Sequence, residues 1–373
     1  MKRLLFVTTV LKDESDGIWK KIKYILYAYS NAGYLIDIVY RTKNGYVLER
    51  EFETKESNVL MVGETHKDLL FYYLAKIVDR SYDILYVRKP FGGASFILLF
   101  LLVNTIKKNN PKFKFVFEIP TYPYKNEIKI FKHKVSECLF GLSKYLYLKK
   151  IDAIIYMGKG GEKIWGRPSL KIENGIDPQH VPLLKEKLNT NFSDGFVLLG
   201  VARLSFWHGY DRMIESISNY KGKVDIKLLI VGDGEPEFTR LRNLVSEKNI
   251  SEKVMFFGSL SGSELDRLYL ESHVCIDSLG RHRSGNLYNS SLKSKEYTAK
   301  GIPFIKSHID ESFNGCDFIY NVAPDESEID IANIVNWYCS LPVNTPVNMR
   351  KFAESNLTWE LQCSKVISFL YKV

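Results

Sequence analysis

The chain has 373 residues, of which 45% are hydrophobic and 25% are charged. This balance is typical of a soluble globular protein and excludes a disordered or fibrous one, and the length suits two domains of similar size. The longest apolar run, residues 96–103, is far shorter than the roughly 20 residues that span a bilayer. The five cysteines are scattered without CxxC spacing, which argues against disulfides or a zinc site and indicates reduced thiols in a cytoplasm.

Positive charge is concentrated in the first half of the chain. Residues 1–190 carry a net charge of +12, residues 191–373 carry −3, and residues 101–150 alone hold 11 basic and 3 acidic residues. We therefore expect the first half to face an anionic partner. Nucleic acid is not favoured as that partner, because the 23 tyrosines and 22 phenylalanines lie in apolar stretches and no nucleic-acid-binding motif is present.

Strands and helices alternate along the first half. Short apolar runs predict strands at residues 4–7, 34–40, 59–62, 84–87, 113–117 and 151–156. Apolar residues at helical spacing predict a helix over about residues 19–32, and helical segments separate most of the later strands. This alternation predicts a parallel sheet with crossover helices.

A second alternating series follows a polar, turn-prone stretch at residues 186–194. Its strands are predicted at residues 196–201, 227–231, 254–257, 274–277, 303–305 and 318–321. We therefore predict an N-terminal domain over residues 1–188 and a C-terminal domain over residues 189–355. Residues 356–373 are predicted to form a final helix.

Four segments of the second half occur in a characteristic order: GVARLSFWHGYDRMIESI, IKLLIVGDGEPEFTRLRNL, VMFFGSLSGSELDRLYLESHVCID and SLKSKEYTAKGIPFI. With IENGID at residues 172–177, they resemble the nucleotide-binding domain of glycosyltransferase family 4. The resemblance covers about residues 170–310, whereas the first 120 residues match only in layout. It implies a GT-B fold, in which two Rossmann-like domains face each other across a cleft. It also implies retaining transfer of a hexosyl or related group from a nucleotide-sugar, with the final helix crossing back to the first domain.

The resemblance implies that an Arg and a Lys five positions later clamp the donor diphosphate. The Arg matches Arg203, after the predicted strand at residues 196–201, where α/β proteins bind ligands; the alternative is that Arg203 pairs with a nearby carboxylate. The Lys position holds His208, which assists departure of the leaving group best when protonated. Because an adjacent diphosphate raises the pKa of an imidazole, we expect activity to depend on pH through His208.

The second Glu of the family's paired-glutamate motif matches Glu296, which implies that Glu296 accepts hydrogen bonds from the ribose hydroxyls. The first Glu of the motif is replaced by Tyr288. We expect the loop before the Glu296 helix to recognise the donor instead, with the amides of residues 289–292 directed at phosphate. The alternative is an ordinary helix capped by Ser290 or Ser291. Donor-binding candidates here are Tyr288, Asn289, Ser290, Ser291, Leu292 and Lys293.

Further donor-binding candidates lie in turns that follow predicted strands. Gly234 and the trio Gly258, Ser259 and Leu260 belong to turns that line the nucleobase side in relatives; a structural role and a contact with the base are both open. In the first domain, Gly17 lies between the first strand and helix, where relatives bring the backbone near the donor phosphate.

The acceptor is assigned to the first domain. Residues 117–124 follow a strand, and two prolines make this loop a rigid lip. Glu118, Thr121 and Tyr122 are the candidate acceptor contacts, and for Glu118 a structural salt bridge is the alternative.

Residues 125–150 combine many lysines with an apolar stripe at helical spacing. A basic amphipathic helix of this kind suits an anionic membrane surface or a lipid-diphosphate acceptor. The alternative is a stripe packed on the core beneath a solvated lysine face. The stripe consists of Ile128, Phe131, Val135, Leu139 and Leu142.

We therefore predict a glycosyltransferase that is located in the cytoplasm, either free or bound peripherally at the inner face of the membrane. Its partners are a nucleotide-sugar donor and a glycan or lipid-diphosphate-linked acceptor, in bacterial surface polysaccharide or glycolipid synthesis. No cofactor or metal is expected, because no Asp-x-Asp motif is present and Arg203 with helix termini can stabilise the leaving group. Two other functions stay open: a catalytically silent GT-B subunit that binds a partner or glycan, and a GT-B sugar-nucleotide epimerase.

Overall fold

The computed structural model describes residues 2–14, 16–63, 69–89, 94–124, 128, 131–285 and 287–372. Contacts divide the chain into two compact units, each built around one β-sheet. The first unit comprises Met1–Glu173 and Trp359–Val373, and the second comprises Asn174–Thr358.

The described strands of the first unit form one nine-stranded sheet. They are β1 Lys2–Leu11, β2 Tyr34–Thr42, β3 Gly45–Arg50, β4 Asn58–Gly63, β5 Ile84–Arg88, β6 Lys114–Tyr122, β7 Ala153–Gly158, β8 Lys163–Ile164 and β9 Arg167–Lys171. Their order is β4-β3-β2-β1-β5-β6-β7-β9-β8. The middle strands from β2 to β9 pair in parallel, whereas β3, β4 and β8 pair antiparallel at the two edges.

Helices cover the sheet of the first unit. Those described are α1 Gly17–Asn31, α2 Leu70–Ile77, α3 Leu99–Asn109, α4 Phe131–Ser143 and, from the end of the chain, α11 Trp359–Leu370. The Asp16 carboxylate caps α1 by accepting a hydrogen bond from the Ile18 amide at 2.6 Å. α11 packs on α1, so its apolar face completes the core of the first unit.

The second unit has a six-stranded parallel sheet. Its strands are β10 Phe196–Val201, β11 Ile226–Val231, β12 Val254–Phe256, β13 Val274–Ile276, β14 Phe304–Lys306 and β15 Ile319–Asn321. Its helices are α5 Tyr210–Asn219, α6 Glu237–Glu247, α7 Gly262–Glu271, α8 Leu292–Lys300, α9 Ile331–Ser340 and α10 Thr345–Asn356. The order β12-β11-β10-β13-β14-β15 is that of a dinucleotide-binding Rossmann sheet. The strand order reverses between β10 and β13, where open α/β sheets bind ligands.

The segment between the two sheets packs on the second unit. The Leu184 amide donates to the Lys300 carbonyl at 3.1 Å, and the Leu188 amide donates to the Val343 carbonyl at 2.9 Å. These contacts explain why residues 174–188 belong to the second unit.

The alternating strands predicted from the sequence are present in both sheets, with ends that differ by a few residues. β3 and the β8–β9 hairpin are additional: β3 pairs antiparallel with β2 across the turn between Thr42 and Gly45. A single helix over residues 125–150 is wrong, because α4 ends at Ser143 and two 3₁₀ turns follow it. Residues 125–127 and 129–130 of that segment lie outside the described residues.

Candidate functional site

The loops after β10 and β13 meet at the carboxyl edge of the second sheet. A 3₁₀ turn at Phe206–His208 follows β10 and ends at Gly209, which has a φ of 68°. A Cβ at Gly209 would lie 2.5 Å from the backbone nitrogen of Gly280, in the loop after β13. The Leu279 amide donates to the His208 carbonyl at 2.8 Å. Glycine therefore lets the two loops approach closely and holds His208 beside the switch point.

Arg203 lies at the start of the loop after β10 and is exposed. The alternative that it pairs with a neighbouring carboxylate is not seen: no hydrogen bond or ion pair joins its guanidinium to another residue that the structure describes. Its charge is therefore available to an anion from solution.

Asp277, directly after β13, is a fully buried carboxylate at the centre of this edge. Its oxygens lie 3.1 Å from Lys293 Nζ and accept hydrogen bonds from the Ser294 hydroxyl at 2.5 Å and the Ser278 amide at 2.7 Å. Burial opposes ionisation, but Lys293, His308 and two serine hydroxyls outweigh it and hold the Asp277 pKa well below its usual range. Asp277 is therefore an anion that holds Lys293 in place.

Several buried donors around Asp277 lack a hydrogen-bond partner among the described residues. They include Nδ1 of His208, both ring nitrogens of His308, and Lys293 Nζ, whose contact with Asp277 is an ion pair only. The second ring nitrogen of His308 lies 3.8 Å from Asp277. Because a buried polar group without a partner costs about 1–3 kcal/mol, such a cluster is suited to a ligand that accepts hydrogen bonds.

The histidines of this cluster are neutral near pH 7. Burial lowers the pKa of His208 well below its usual value, and the positive charges of Lys293 and Arg281 lower it further against the opposing effect of Asp277. Burial also lowers the pKa of His308 to about 4. Each imidazole can therefore donate one hydrogen bond without adding charge.

The first turn of α8 adds backbone donors to the same edge. Ser291 is at the N-cap position, but its side chain makes no capping bond with the helix; instead its hydroxyl helps to lower the pKa of Asp277. Ser290 does not cap the helix either: its hydroxyl accepts a hydrogen bond from the Asn174 amide at 2.8 Å. The capped-helix alternative is thus not what forms. The amino end of α8 carries amides and a partial positive charge that favour an anion.

The loop before α8 departs from the prediction at one position. The Asn289 amide donates to the Ile309 carbonyl at 3.0 Å, and Tyr288 forms a bridge with Ile309. The prediction that this amide faces phosphate is therefore wrong, because the strand-like pairing uses it. Leu292 and Lys293 are in the first turn of α8, and Lys293 is the candidate that pairs with Asp277.

Glu296 lies one helical turn after Lys293, so both side chains are on one face of α8. Its side chain is 40% exposed and lies 3.8 Å from the Lys300 ammonium. By contrast, Lys295 is fully buried and pairs with Asp310 at 2.5 Å, which makes it part of the core. The half-exposed carboxylate of Glu296 is accessible to a ligand.

The turns after β11 and β12 connect to the Arg203 loop. The Gly232 amide donates to the Gly258 carbonyl at 2.6 Å, and the Ser259 hydroxyl donates to Asp233 at 2.9 Å. A Cβ at Gly234 would lie 2.5 Å from the Leu204 carbonyl oxygen. These contacts support the structural interpretation of both turns. A contact of Gly258, Ser259 or Leu260 with a nucleobase stays a prediction.

The candidates of the first unit differ in accessibility. Gly17 is exposed at the start of α1, and nothing lies within 4 Å of where its Cβ would be. Glu118 is fully buried, with one oxygen 2.6 Å from Arg88. The salt-bridge alternative therefore describes one oxygen of Glu118, and the other, Oε2, is buried without a hydrogen-bond partner among the described residues. Thr121 and Tyr122 lie at the end of β6 and are half-buried.

Asp277 and His308, which lie at the centre of the carboxyl edge of the second sheet, are not among the candidates identified from the sequence. Both follow short apolar strands of the parallel sheet. Asp277 comes directly after β13, and His308 comes two residues after the end of β14. That position relative to the switch point is the signal that identifies them.

The described part of the chain has neither a membrane-spanning helix nor a cluster of metal-ligating side chains. No helix there has the length and apolarity that crossing a bilayer requires. No group of three or more His, Cys, Asp or Glu side chains there is arranged to hold a metal ion.

Sequence comparison matches part of the second unit. Residues 184–278 match the family described as Glycosyl transferases group 1. An uncharacterized glycosyltransferase of Methanocaldococcus jannaschii is 27% identical over 124 residues, and the alignment covers 30% of this chain and 32% of that protein. The chain thus matches about a third of the length of this curated relative.

Solved structures share the fold over the whole chain. Sucrose-phosphate synthase from Thermosynechococcus elongatus has a TM-score of 0.67 at 17% identity, covering 100% of this chain and 98% of that one. Anabaena HepE in complex with UDP has a TM-score of 0.66 at 12% identity, covering 100% of both chains. At identities of 12% and 17%, these similarities show that the chain shares the fold of these proteins. The predicted two-domain α/β architecture is confirmed: the chain has the GT-B fold, and residues 184–278 are similar to the family described as Glycosyl transferases group 1.

Proposed function

We propose that the chain is a retaining glycosyltransferase of family 4 that moves a hexosyl or related group from a nucleotide-sugar to a glycan or lipid-linked acceptor. The observation that carries this proposal is the cluster of buried, unpartnered donors around Asp277, beside the uncapped start of α8. A departing nucleoside diphosphate needs fixed donors and positive charge of this kind.

In the proposed reaction, Arg203, Lys293 and the α8 amides stabilise the negative charge that develops on the leaving phosphate. His208 donates one hydrogen bond to the same group, and Glu296 accepts hydrogen bonds from the ribose hydroxyls. As the bond between the sugar and the phosphate oxygen breaks, the acceptor oxygen bonds to the same face of the sugar. The leaving phosphate takes the proton of the acceptor hydroxyl, so transfer is proposed to proceed without a metal ion.

A uridine nucleotide is the first donor to test. Anabaena HepE, which shares the fold, has been solved with UDP and with UDP-glucose. In this chain the hydrogen-bond donors around Asp277 suit any diphosphate. Experiment must therefore identify the base of the nucleotide-sugar.

The test is a thermal-shift screen of the full chain against UDP, GDP, dTDP, CMP, ADP and their sugar derivatives. A ligand at 100 times its Kd stabilises the native state by about 2.7 kcal/mol. We expect one nucleotide to raise Tm and the shift to be lost in Arg203→Ala, Lys293→Met and Glu296→Ala. Arg267→Ala is the matched control, because Arg267 is 72% exposed and its one ion pair with a described residue is with Glu271 on α7.

The products then separate the proposed activity from its rivals. Sugar transfer to an added acceptor supports the proposal. A shift without turnover indicates a silent GT-B subunit, and release of an altered sugar without an acceptor indicates an epimerase. No shift with any nucleotide contradicts the proposal.

We also propose that α4 lies on an anionic membrane surface, which places the enzyme at the inner face of the membrane and in surface polysaccharide or glycolipid synthesis. Of the apolar stripe, Ile128 before α4 is buried in the core, whereas Phe131 and Leu142 on α4 are 79% and 69% exposed. The surrounding sequence, residues 101–150, has 11 basic and 3 acidic residues, a balance that suits anionic lipid.

Flotation with vesicles of phosphatidylglycerol and phosphatidylcholine tests this surface. Each apolar side chain that enters the lipid contributes about 1.5–3 kcal/mol, so we expect Phe131→Asp with Leu142→Asp to abolish flotation. Leu270→Asp is the control, because Leu270 is 52% exposed on α7 in the second unit. Equal flotation of all three proteins contradicts the proposal.

A further inference from the structure

A cavity of about 680 Å³ lies within the first unit, between α4 and the residues that follow β6. Aromatic side chains form much of its wall: Tyr122, Tyr124, Phe140 and Trp165. Volume and lining of this kind are typical of small-molecule sites, which are largely apolar with a few polar groups. The cavity shares no residue with the cluster around Asp277, which is built from residues of the second unit.

The cavity wall carries an excess of positive charge. Its single carboxylate among the lining residues, Glu137, is neutralised by Lys89 at 2.8 Å and accepts a hydrogen bond from the Tyr124 hydroxyl at 2.6 Å. Lys134 and Lys144 also line the cavity, and the Lys144 ammonium lies 4.5 Å from the centre of the Trp165 ring. The wall therefore combines apolar rings with two lysine side chains.

The exposed apolar stripe runs beside the cavity on the same helix. Phe131, Val135, Leu139 and Leu142 are exposed, and they recur at intervals of three and four residues, as one helical face does. Lys134, Glu137 and Gly141, which line the cavity, lie on the adjacent face of α4. A molecule with an apolar chain along the stripe can therefore place a polar head group in the cavity.

We propose that this cavity binds the phosphorylated head group of a lipid-anchored acceptor. Lys134 and Lys144 pair with the phosphate, the aromatic wall packs against the apolar parts of the head group, and the lipid chain lies along the stripe. This assignment rests on the proposed transferase function, since it makes the cavity the acceptor side of that reaction. Tyr122 then contacts the acceptor from the cavity wall.

Gly141 offers a direct way to close the cavity. Nothing lies within 4 Å of the position of a Cβ at Gly141, which is a helical residue of α4 without a positive φ. Gly141→Phe is therefore expected to fill the cavity without a backbone clash, and replacing a helical glycine favours the helix.

Calorimetric titration of the full chain with dihexanoyl phosphatidate, a water-soluble lipid phosphate, tests the assignment. We expect binding by the wild type, at least tenfold weaker binding by Lys134→Gln with Lys144→Gln, and none by Gly141→Phe. Lys107→Gln with Lys108→Gln on α3 removes the same charge elsewhere in the first unit and is expected to change the Kd less than twofold. Unchanged affinity in Gly141→Phe overturns the assignment.

Two further titrants separate the sources of phosphate. We expect glucose 1-phosphate and uncharged dihexanoylglycerol each to bind at least tenfold more weakly than the lipid phosphate. Equal affinity for glucose 1-phosphate overturns the lipid-anchored acceptor. A wild-type chain that shifts with a nucleotide but ignores the lipid phosphate overturns this inference and leaves the donor function standing, whereas one that responds to neither contradicts both.

Discussion

At the scale of single residues, Asp277 positions the side chains at the carboxyl edge of the second sheet. It is fully buried, and its charge is balanced by Lys293 and by hydrogen bonds rather than by solvent. Removal of one partner of a buried ion pair is strongly destabilising, so the pair fixes Lys293 at the start of α8. The neighbouring donors of His208 and His308 are then left for a ligand.

His208 connects this edge to pH. Its pKa in the free protein is lowered by burial first and by Lys293 and Arg281 next, so the ring is neutral near pH 7. A bound diphosphate adds negative charge beside the ring, which raises the pKa and leads to proton uptake on binding. Affinity for the nucleoside diphosphate is therefore expected to rise as pH falls through the His208 pKa of the complex towards the lower His208 pKa of the free protein.

Calorimetric titrations of the nucleotide at several pH values check this expectation. His208→Lys keeps a positive charge throughout this range and is expected to flatten the dependence, as is the uncharged His208→Gln. Identical pH profiles for the wild type and His208→Lys would contradict the role of His208.

Lys21 is a second residue with an altered pKa, in the first unit. It is 6% exposed, and burial lowers its pKa to about 7, with a further contribution from Arg88 and an opposing one from Glu118. Above pH 7 the folded state releases the proton while the unfolded state keeps it, so stability rises with pH between about 7 and 10.5. The buried charge is thus most costly at and below pH 7.

Lys21→Met is expected to stabilise the first unit by an amount on the order of a few kcal/mol near pH 7, and by less as pH rises. The measurement is calorimetric Tm at about pH 6.5 and pH 9, with Lys20→Met, at an exposed position on the same helix, as control. A larger gain at the higher pH would contradict the argument.

At the scale of elements, the β10–α5 connection depends on one backbone conformation. Gly209 has a φ of 68° and faces the Gly280 backbone, where a Cβ would approach to 2.5 Å. Gly209→Ala therefore adds both backbone strain and a clash that no side-chain rotation relieves. We expect a loss of about 2–4 kcal/mol, measured by denaturant unfolding together with loss of the nucleotide-induced Tm shift.

Gly17→Ala is the matched substitution in the first unit, since Gly17 begins α1 with open space around it. Its effect on stability is expected to be neutral or favourable by up to about 1 kcal/mol. If Gly17 brings the backbone close to the donor phosphate, kcat falls in this variant while stability does not. A stability loss in Gly17→Ala as large as that in Gly209→Ala would contradict the argument that open space makes the one substitution harmless and a backbone clash makes the other costly.

At the scale of the whole molecule, the last helix makes the first unit discontinuous in sequence. α11 packs on α1 and buries Trp359, Cys363, Val366 and Leu370, each less than 5% exposed. At about 1.5–3 kcal/mol for each apolar side chain, their burial is comparable to the stability of an entire domain.

Deletion of residues 359–373 is therefore expected to unfold the first unit and leave the second folded. Calorimetry of the truncated chain should show one transition fewer than the full chain, and the remaining transition should respond to the nucleotide at high concentration. A substitution control, Tyr371→Ala, keeps α11, since Tyr371 follows its last residue. Two intact transitions after deletion would contradict the packing argument.

Much of the fold follows from local sequence. The strands of the two parallel sheets are short apolar runs separated by helical patterns, because strands buried on both faces must be apolar throughout. Arg203, Glu296 and the start of α8 are candidate site positions because of motifs whose residues are close together in sequence. These features depend on a few consecutive residues, so they can be predicted without knowledge of the packing.

Tertiary structure alone decided what those residues face. Asp277 meets Lys293 and His308 across separate strands and helices, and Glu118 meets Arg88 on the neighbouring strand. The apolar stripe of α4 has the same spacing as a core-facing stripe. Only the solvent exposure of its side chains in the folded chain shows that it points away from the core. Spacing along the chain sets which residues share a face, whereas burial and long-range partners depend on how the elements pack, which a single sequence does not encode locally.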